Sequence, residues 1–150
     1  MPTSIPFALT VKAVLFDDQN RCLLLRRSTA NRHFAGCWEW PGGKLDPGED
    51  FATGLHREVR EEAGLEIELT ALAGATQFEM PTAHVILLCL EARPLGTAVR
   101  LSEEHDDFAW VPLAELGRYQ FTPGVGDFML DYAKKKGNRR SVSGAGGAAS

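Results

Sequence analysis

Glu58, Glu61 and Glu62 crowd into one short stretch with Arg57 and Arg60 interleaved, "REVREEAG". Phe51, Leu55, Val59 and Ala63 recur every four residues and Gly64 follows, which predicts a helix over residues 50–63. At about 100° per residue, Phe51, Ala52, Leu55, Val59 and Ala63 cover one arc. Glu58 and Glu62 fall at its edge and Glu61 just beyond. Carboxylates beside an apolar stripe lose water, which is costly unless they are paired. Like charges three and four apart also repel, by about 0.2–0.5 kcal/mol a pair. Two arginines do not neutralise the whole group, whereas a hard divalent cation does. Mg²⁺ or Mn²⁺ binds through a few carboxylates and fills its remaining positions from substrate phosphates. Gly54 costs such a helix about 1 kcal/mol against alanine; it lies on the carboxylate side and is expected to leave room for a ligand. A simple solvated glutamate face is the competing reading.

The surrounding elements must hold that helix. "LTVKAVLF" (9–16) and "RCLLLRR" (21–27) are strand-like runs flanking the polar turn "DDQN", which predicts a hairpin. Residues 28–49, with Pro-Gly-Gly and Asp-Pro-Gly, are expected to be loop with a short extended piece. "IELTALAGATQFE" and "AHVILLCLEA" are two further strands, the second apolar on both faces and therefore central. "DFAWVP" is a shorter strand and "PLAEL" a helical turn. Thr122-Pro123 has the look of an N-cap and first helical residue, ahead of Val125, Phe128, Met129 and Tyr132 at helical spacing. Strands mixed with two helices give an α/β or α+β domain.

The chain has 150 residues, 44% of them hydrophobic, enough for one domain over residues 1–133. Its longest apolar run, Val85–Leu90, is far short of a membrane span, and the first residues lack the pattern of a signal peptide. Cys22, Cys37 and Cys89 form no C-x-x-C pair and are expected to be reduced thiols in a cytoplasmic protein. Of 16 basic residues, five lie between 134 and 140, so 11 face 20 acidic residues in the body. An acidic body argues against general nucleic-acid binding. Residues 134–150, basic and then rich in Gly, Ala and Ser, are expected to form a flexible tail.

Residues 43–65 run Gly43, five residues, Glu49, seven residues, Arg57-Glu58, two residues, Glu61-Glu62, one residue, Gly64 and an apolar residue. This resembles the Nudix box without departure. The resemblance implies an α/β/α sandwich around a mixed β-sheet and Mg²⁺-dependent hydrolysis of a nucleotide diphosphate linkage, with Mn²⁺ able to substitute. Glu58 and Glu62 would be the principal ligands, joined by Glu61, the Gly43 carbonyl and Glu104. Glu58, Glu61 and Glu104 are the candidate bases, and Arg57 would orient a box glutamate. "RR" at 26–27, His33, "EWPGGK" (39–44), "FEMPTAHVILLCLE" (78–91) and Trp110 resemble MutT-type nucleoside triphosphate pyrophosphohydrolases. That implies release of a nucleoside monophosphate and pyrophosphate from a triphosphate, an 8-oxo-dGTP-like one among them. Arg27, His33, Phe78, Asp107 and Val125 would touch the substrate. Val125 stands where such enzymes carry a base-reading asparagine, and valine cannot hydrogen-bond a purine edge. ADP-ribose or nucleotide-sugar hydrolysis is the alternative, suggested by Pro81 and by "EEHDDFAW". A non-catalytic nucleotide sensor is a further one. The expected partner is a small nucleotide, for a monomer or a homodimer, with no membrane.

Overall fold

The computed structural model describes residues 4–148. In chain order the elements are β1 (Phe7–Leu15), β2 (Arg21–Arg27), β3 (Trp38–Glu39), β4 (Gly42–Lys44), α1 (Phe51–Ala63), β5 (Ile67–Met80), β6 (Ala83–Pro94), β7 (His105–Pro112), a 3-10 helix (Leu113–Arg118) and α2 (Gly126–Ala148). The strands divide into a four-stranded sheet, ordered β4-β1-β6-β5, and a three-stranded one, β3-β2-β7. In the first, β1 and β6 run parallel and the other pairs antiparallel. The second is antiparallel throughout. The α/β class is as expected, and β6 is central.

Both central strands are apolar on both faces because each face meets a different helix. Val11, Ala13 and Leu15 of β1, Leu23 and Leu25 of β2, and Leu90 and Ala92 of β6 share a core with Leu55, Val59 and Ala63 of α1. The alternate residues Val14, Cys22, Leu24, Leu87 and Cys89 pack instead with Leu116, Met129 and Tyr132. Helix, sheets and helix thus form three layers, with side chains alternating at the strand period of two.

Two expectations are corrected. The hairpin ladder does not form: β1 and β2 belong to different sheets, and the reversal between them carries an isolated bridge between Phe16 and Cys22 and the Asp17 amide donating to the Arg21 carbonyl at 2.9 Å. The turn still closes as its residues suggest, because the Asp17 carboxylate accepts from the Gln19 and Arg21 amides. α2 begins at Gly126 and not at Pro123, because Gly124 at φ 88° leaves the helical region. The three cysteines are free and buried. No helix among the described residues is long and apolar enough to cross a membrane.

Candidate active site

α1 is bounded by side-chain chemistry at both ends. Asp50 accepts from the Thr53 amide, and Gly64, at φ 68°, donates to the Arg60 carbonyl. The buried stripe is Leu55, Val59, Glu62 and Ala63, with Gly54. Phe51, expected on that stripe, is 46% exposed at the first position of the helix. Gly54 leaves no vacant space either: a Cβ there would come within 2.2 Å of Leu45 and 2.9 Å of Glu49. Its role is close packing of the loop before the helix.

The Pro-Gly-Gly turn brings β4 against the carboxylate face. At Gly43 a Cβ would lie 2.7 Å from a Glu58 carboxylate oxygen, so glycine admits that side chain. The Gly42 amide donates to Glu62 Oε2 at 2.8 Å. Glu62 is only 5% exposed, and burial, with Glu39 and Glu58 adding to it, pushes its carboxyl up to about 8 against the pull of Lys12 and that amide. Burial also raises Glu58, helped by Glu61 and Glu104 and opposed by Arg57. Glu61 is mostly exposed and pairs with Arg57 at 3.1 Å.

Arg57 spends its guanidinium on carboxylates. Nε and Nη2 form a two-bond fork on Glu49 at 2.7 and 2.9 Å, while Nη1 lies 3.2 Å from Glu58 and 3.1 Å from Glu61. The fork holds Glu49 down at about 2. Glu49 also accepts from the Asp46 amide, which ties the loop to the helix.

Glu104 arrives from the other sheet. Between β2 and β7 the register slips: Arg26 faces Asp107, but Arg27 faces His105. Asp106 is the extra residue of a bulge, and such a bulge re-aims the residues beyond it. Glu62, Glu104 and His105 each offer a ligand atom, and these atoms lie within 4.8 Å of one another.

Behind this cluster is a second carboxylate with different company. Glu39 is 7% exposed, and its oxygens lie 3.6 Å from Lys12 Nζ, 3.2 Å from Arg27 Nη1 and 2.8 Å from His105 Nε2. Burial pushes Glu39 up, but Lys12, the His105 hydrogen bond and Arg27 together hold it down at about 2. Lys12 is raised in turn, with Glu39 and Glu62 outweighing its burial. Lys12, Arg27 and Glu39 also line a cavity of about 410 Å³ whose walls are largely apolar, with Phe78, Met80 and Val125 among them.

The structure therefore gathers Glu58, Glu61, Glu62, Gly43, Arg57 and Glu104 at one place, and Arg27, His33, Phe78 and Val125 around the adjoining cavity. Asp107 lies outside that cavity lining, exposed on β7, 3.9 Å from Arg26. Sequence reasoning missed Lys12, Glu39 and His105. A lysine at the centre of "LTVKAVLF", a strand apolar on both sides, was the available signal.

A Gly-Gly turn against a glutamate-bearing helix that covers one face of the sheets is the arrangement of a Nudix domain. A profile of the NUDIX domain family matches residues 6–132, and the chain belongs to that family. Among relatives, the human 8-oxo-dGDP phosphatase NUDT18 is 34% identical over 110 residues, covering 71% of this chain but only 32% of its own length. The nucleoside triphosphatase NudI of Klebsiella pneumoniae is 30% identical, covering 73% of this chain and 86% of its own. The crystal structure of a MutT protein from Methanosarcina mazei superposes with a TM-score of 0.80 at 31% identity, covering 90% of this chain and 99% of that one.

Proposed function

We propose that the chain is a divalent-metal-dependent hydrolase of nucleoside triphosphates, releasing the nucleoside monophosphate and pyrophosphate. The observation that carries this reading is Glu62, a buried carboxylate whose one direct hydrogen bond among the described residues is a backbone amide, beside Glu104 and within electrostatic reach of Glu58. These oxygen donors fit Mg²⁺ or Mn²⁺, which are hard ions. Glu58 and Glu62 would be the main ligands, with Glu61, Glu104 and the Gly43 carbonyl completing the set. When bound, the ion would polarise phosphoryl oxygens and activate water.

The chain's own residues do the rest. Arg57 holds Glu58 and Glu61 against the Glu49 fork, so that neither carboxylate swings away. One of Glu58, Glu61 and Glu104 takes a proton from the water that attacks phosphorus, while the P–O bond bridging the α- and β-phosphates breaks and its electron pair stays on the bridging oxygen of the departing product. The apolar cavity excludes water from the nucleoside, and Phe78 offers a face for stacking. Support for a triphosphate comes from the NudI relative. The test is a nucleotide panel of deoxynucleoside tri- and diphosphates, ADP-ribose and nucleotide sugars, assayed with Mg²⁺ and with excess chelator. The expected result is metal-dependent release of pyrophosphate, highest in kcat/KM for a triphosphate; turnover undiminished by chelator contradicts it.

A further inference from the structure

The loop that carries Glu104 is strapped from two sides. On one, the Ser102 amide donates to the Glu62 carbonyl at the end of α1 at 3.3 Å. On the other, the turn after β2 grips the loop's carbonyls: the Ser28 amide donates to the Glu104 carbonyl at 2.9 Å and the Ser28 hydroxyl to the Glu103 carbonyl at 2.5 Å. Asn31 adds a third strap, its side-chain amide nitrogen donating to the Glu104 carbonyl at 2.7 Å and to the Ser28 carbonyl at 3.1 Å. Its side-chain oxygen accepts from Arg27 Nη2 at 3.1 Å. Only this orientation of the carboxamide satisfies every partner, since the reverse sets N–H against guanidinium and oxygen against two carbonyls. Asn31 therefore joins Arg27, on the cavity wall, to the backbone of Glu104.

We propose that Asn31 is a positioning residue that fixes Glu104 toward Glu62. This rests on the reading of Glu104 as a metal-facing carboxylate. Glu104 is itself exposed, and a free loop would spread its carboxylate over many positions. Ordering that loop in advance removes the entropy cost from the binding step. Asn31→Asp separates the two halves of the contact, because it keeps an acceptor for Arg27 and loses the donor to Glu104.

The experiment is Mn²⁺ titration followed by electron paramagnetic resonance, on wild type, Glu62→Gln and Asn31→Asp, with nucleotide kinetics and thermal midpoints alongside. Expected are Mn²⁺ affinity about 10-fold weaker in Asn31→Asp, a KM at saturating metal changed by less than about twofold, and a nearly unchanged midpoint. Ser28→Ala, which removes the strap on Glu103, shifts affinity in the same direction by less and serves should aspartate unfold the turn. Wild-type affinity in Asn31→Asp, with only the midpoint lowered, overturns the proposal and leaves Asn31 a brace of the turn. Wild-type protein that takes up no Mn²⁺, or takes it up equally well in Glu62→Gln, overturns the carboxylate reading beneath it.

Discussion

Glu39 and Glu62 are two buried carboxylates of the same neighbourhood, and their acidities diverge. Glu39, beside the cavity, has Lys12, Arg27 and His105 around it and is held at about 2. Glu62, on the helix face, has one amide against its oxygens and only a share of the Lys12 charge, and is pushed up to about 8. Burial acts on both in the same direction, so the difference comes from partners. The first site is complete as folded and serves architecture. The second is short of positive charge, which is the condition of a site that gains by binding a cation.

The same isosteric change at the two positions sharpens the contrast. Glu39→Gln leaves the buried Lys12 and the half-buried Arg27 without their nearest carboxylate, and its expected cost is about 3–5 kcal/mol in urea unfolding. In wild type the Glu39 contribution is full above the ordinary value of 4.5 and lost as pH falls toward about 2. The variant therefore shows a flatter acid limb. If Glu39→Gln unfolds at the wild-type midpoint, the network around it is not structural.

Glu62→Gln should instead lower kcat by at least about 100-fold at saturating Mg²⁺, through loss of a ligand charge. Its effect on metal-free stability has the opposite sign to that of Glu39→Gln. A carboxyl raised from 4.5 to about 8 keeps its proton in the native state after the unfolded chain has lost one, so wild-type stability falls as pH rises across that window. Glutamine removes the fall, and the variant unfolds later than wild type at pH 8 without metal. Near-wild-type kcat returns Glu62 to the packing of the helix alone.

The position of these two glutamates also explains what was legible in sequence. α1, its Asp50 and Gly64 ends and its glutamate spacing are local, fixed by periodicity within one turn or two. Glu39 meets His105 across 66 positions of chain, and that contact depends on a bulge whose extra residue, Asp106, carries no sequence mark of its own. The failed hairpin has the same origin: "DDQN" does close a turn, but β1 and β2 are each claimed on both faces by different helices and sheets. Gly54 misled because a missing Cβ serves close packing as readily as it serves a ligand.

The smallest expected effect concerns the cavity. Val125 lines it and offers no hydrogen bond to a base edge. Apolar contact discriminates by only about 10–200-fold, so the kcat/KM ratio between 8-oxo-dGTP and dGTP should stay within that range. Val125→Asn should move the ratio and leave metal dependence untouched. A wild-type preference beyond about 10⁴-fold would assign base reading to another residue.

The most direct test of the cation-deficient site is proton release on metal binding. Titration calorimetry of Mg²⁺ into the protein at pH 7, repeated in buffers of different ionisation enthalpy, counts the protons displaced. With Glu62 raised to about 8, the metal-free carboxyl is protonated at pH 7, and binding should expel about one proton per ion, declining toward none by about pH 10. Glu62→Gln should abolish that release. Binding without proton release, or release that persists in Glu62→Gln, would contradict the account.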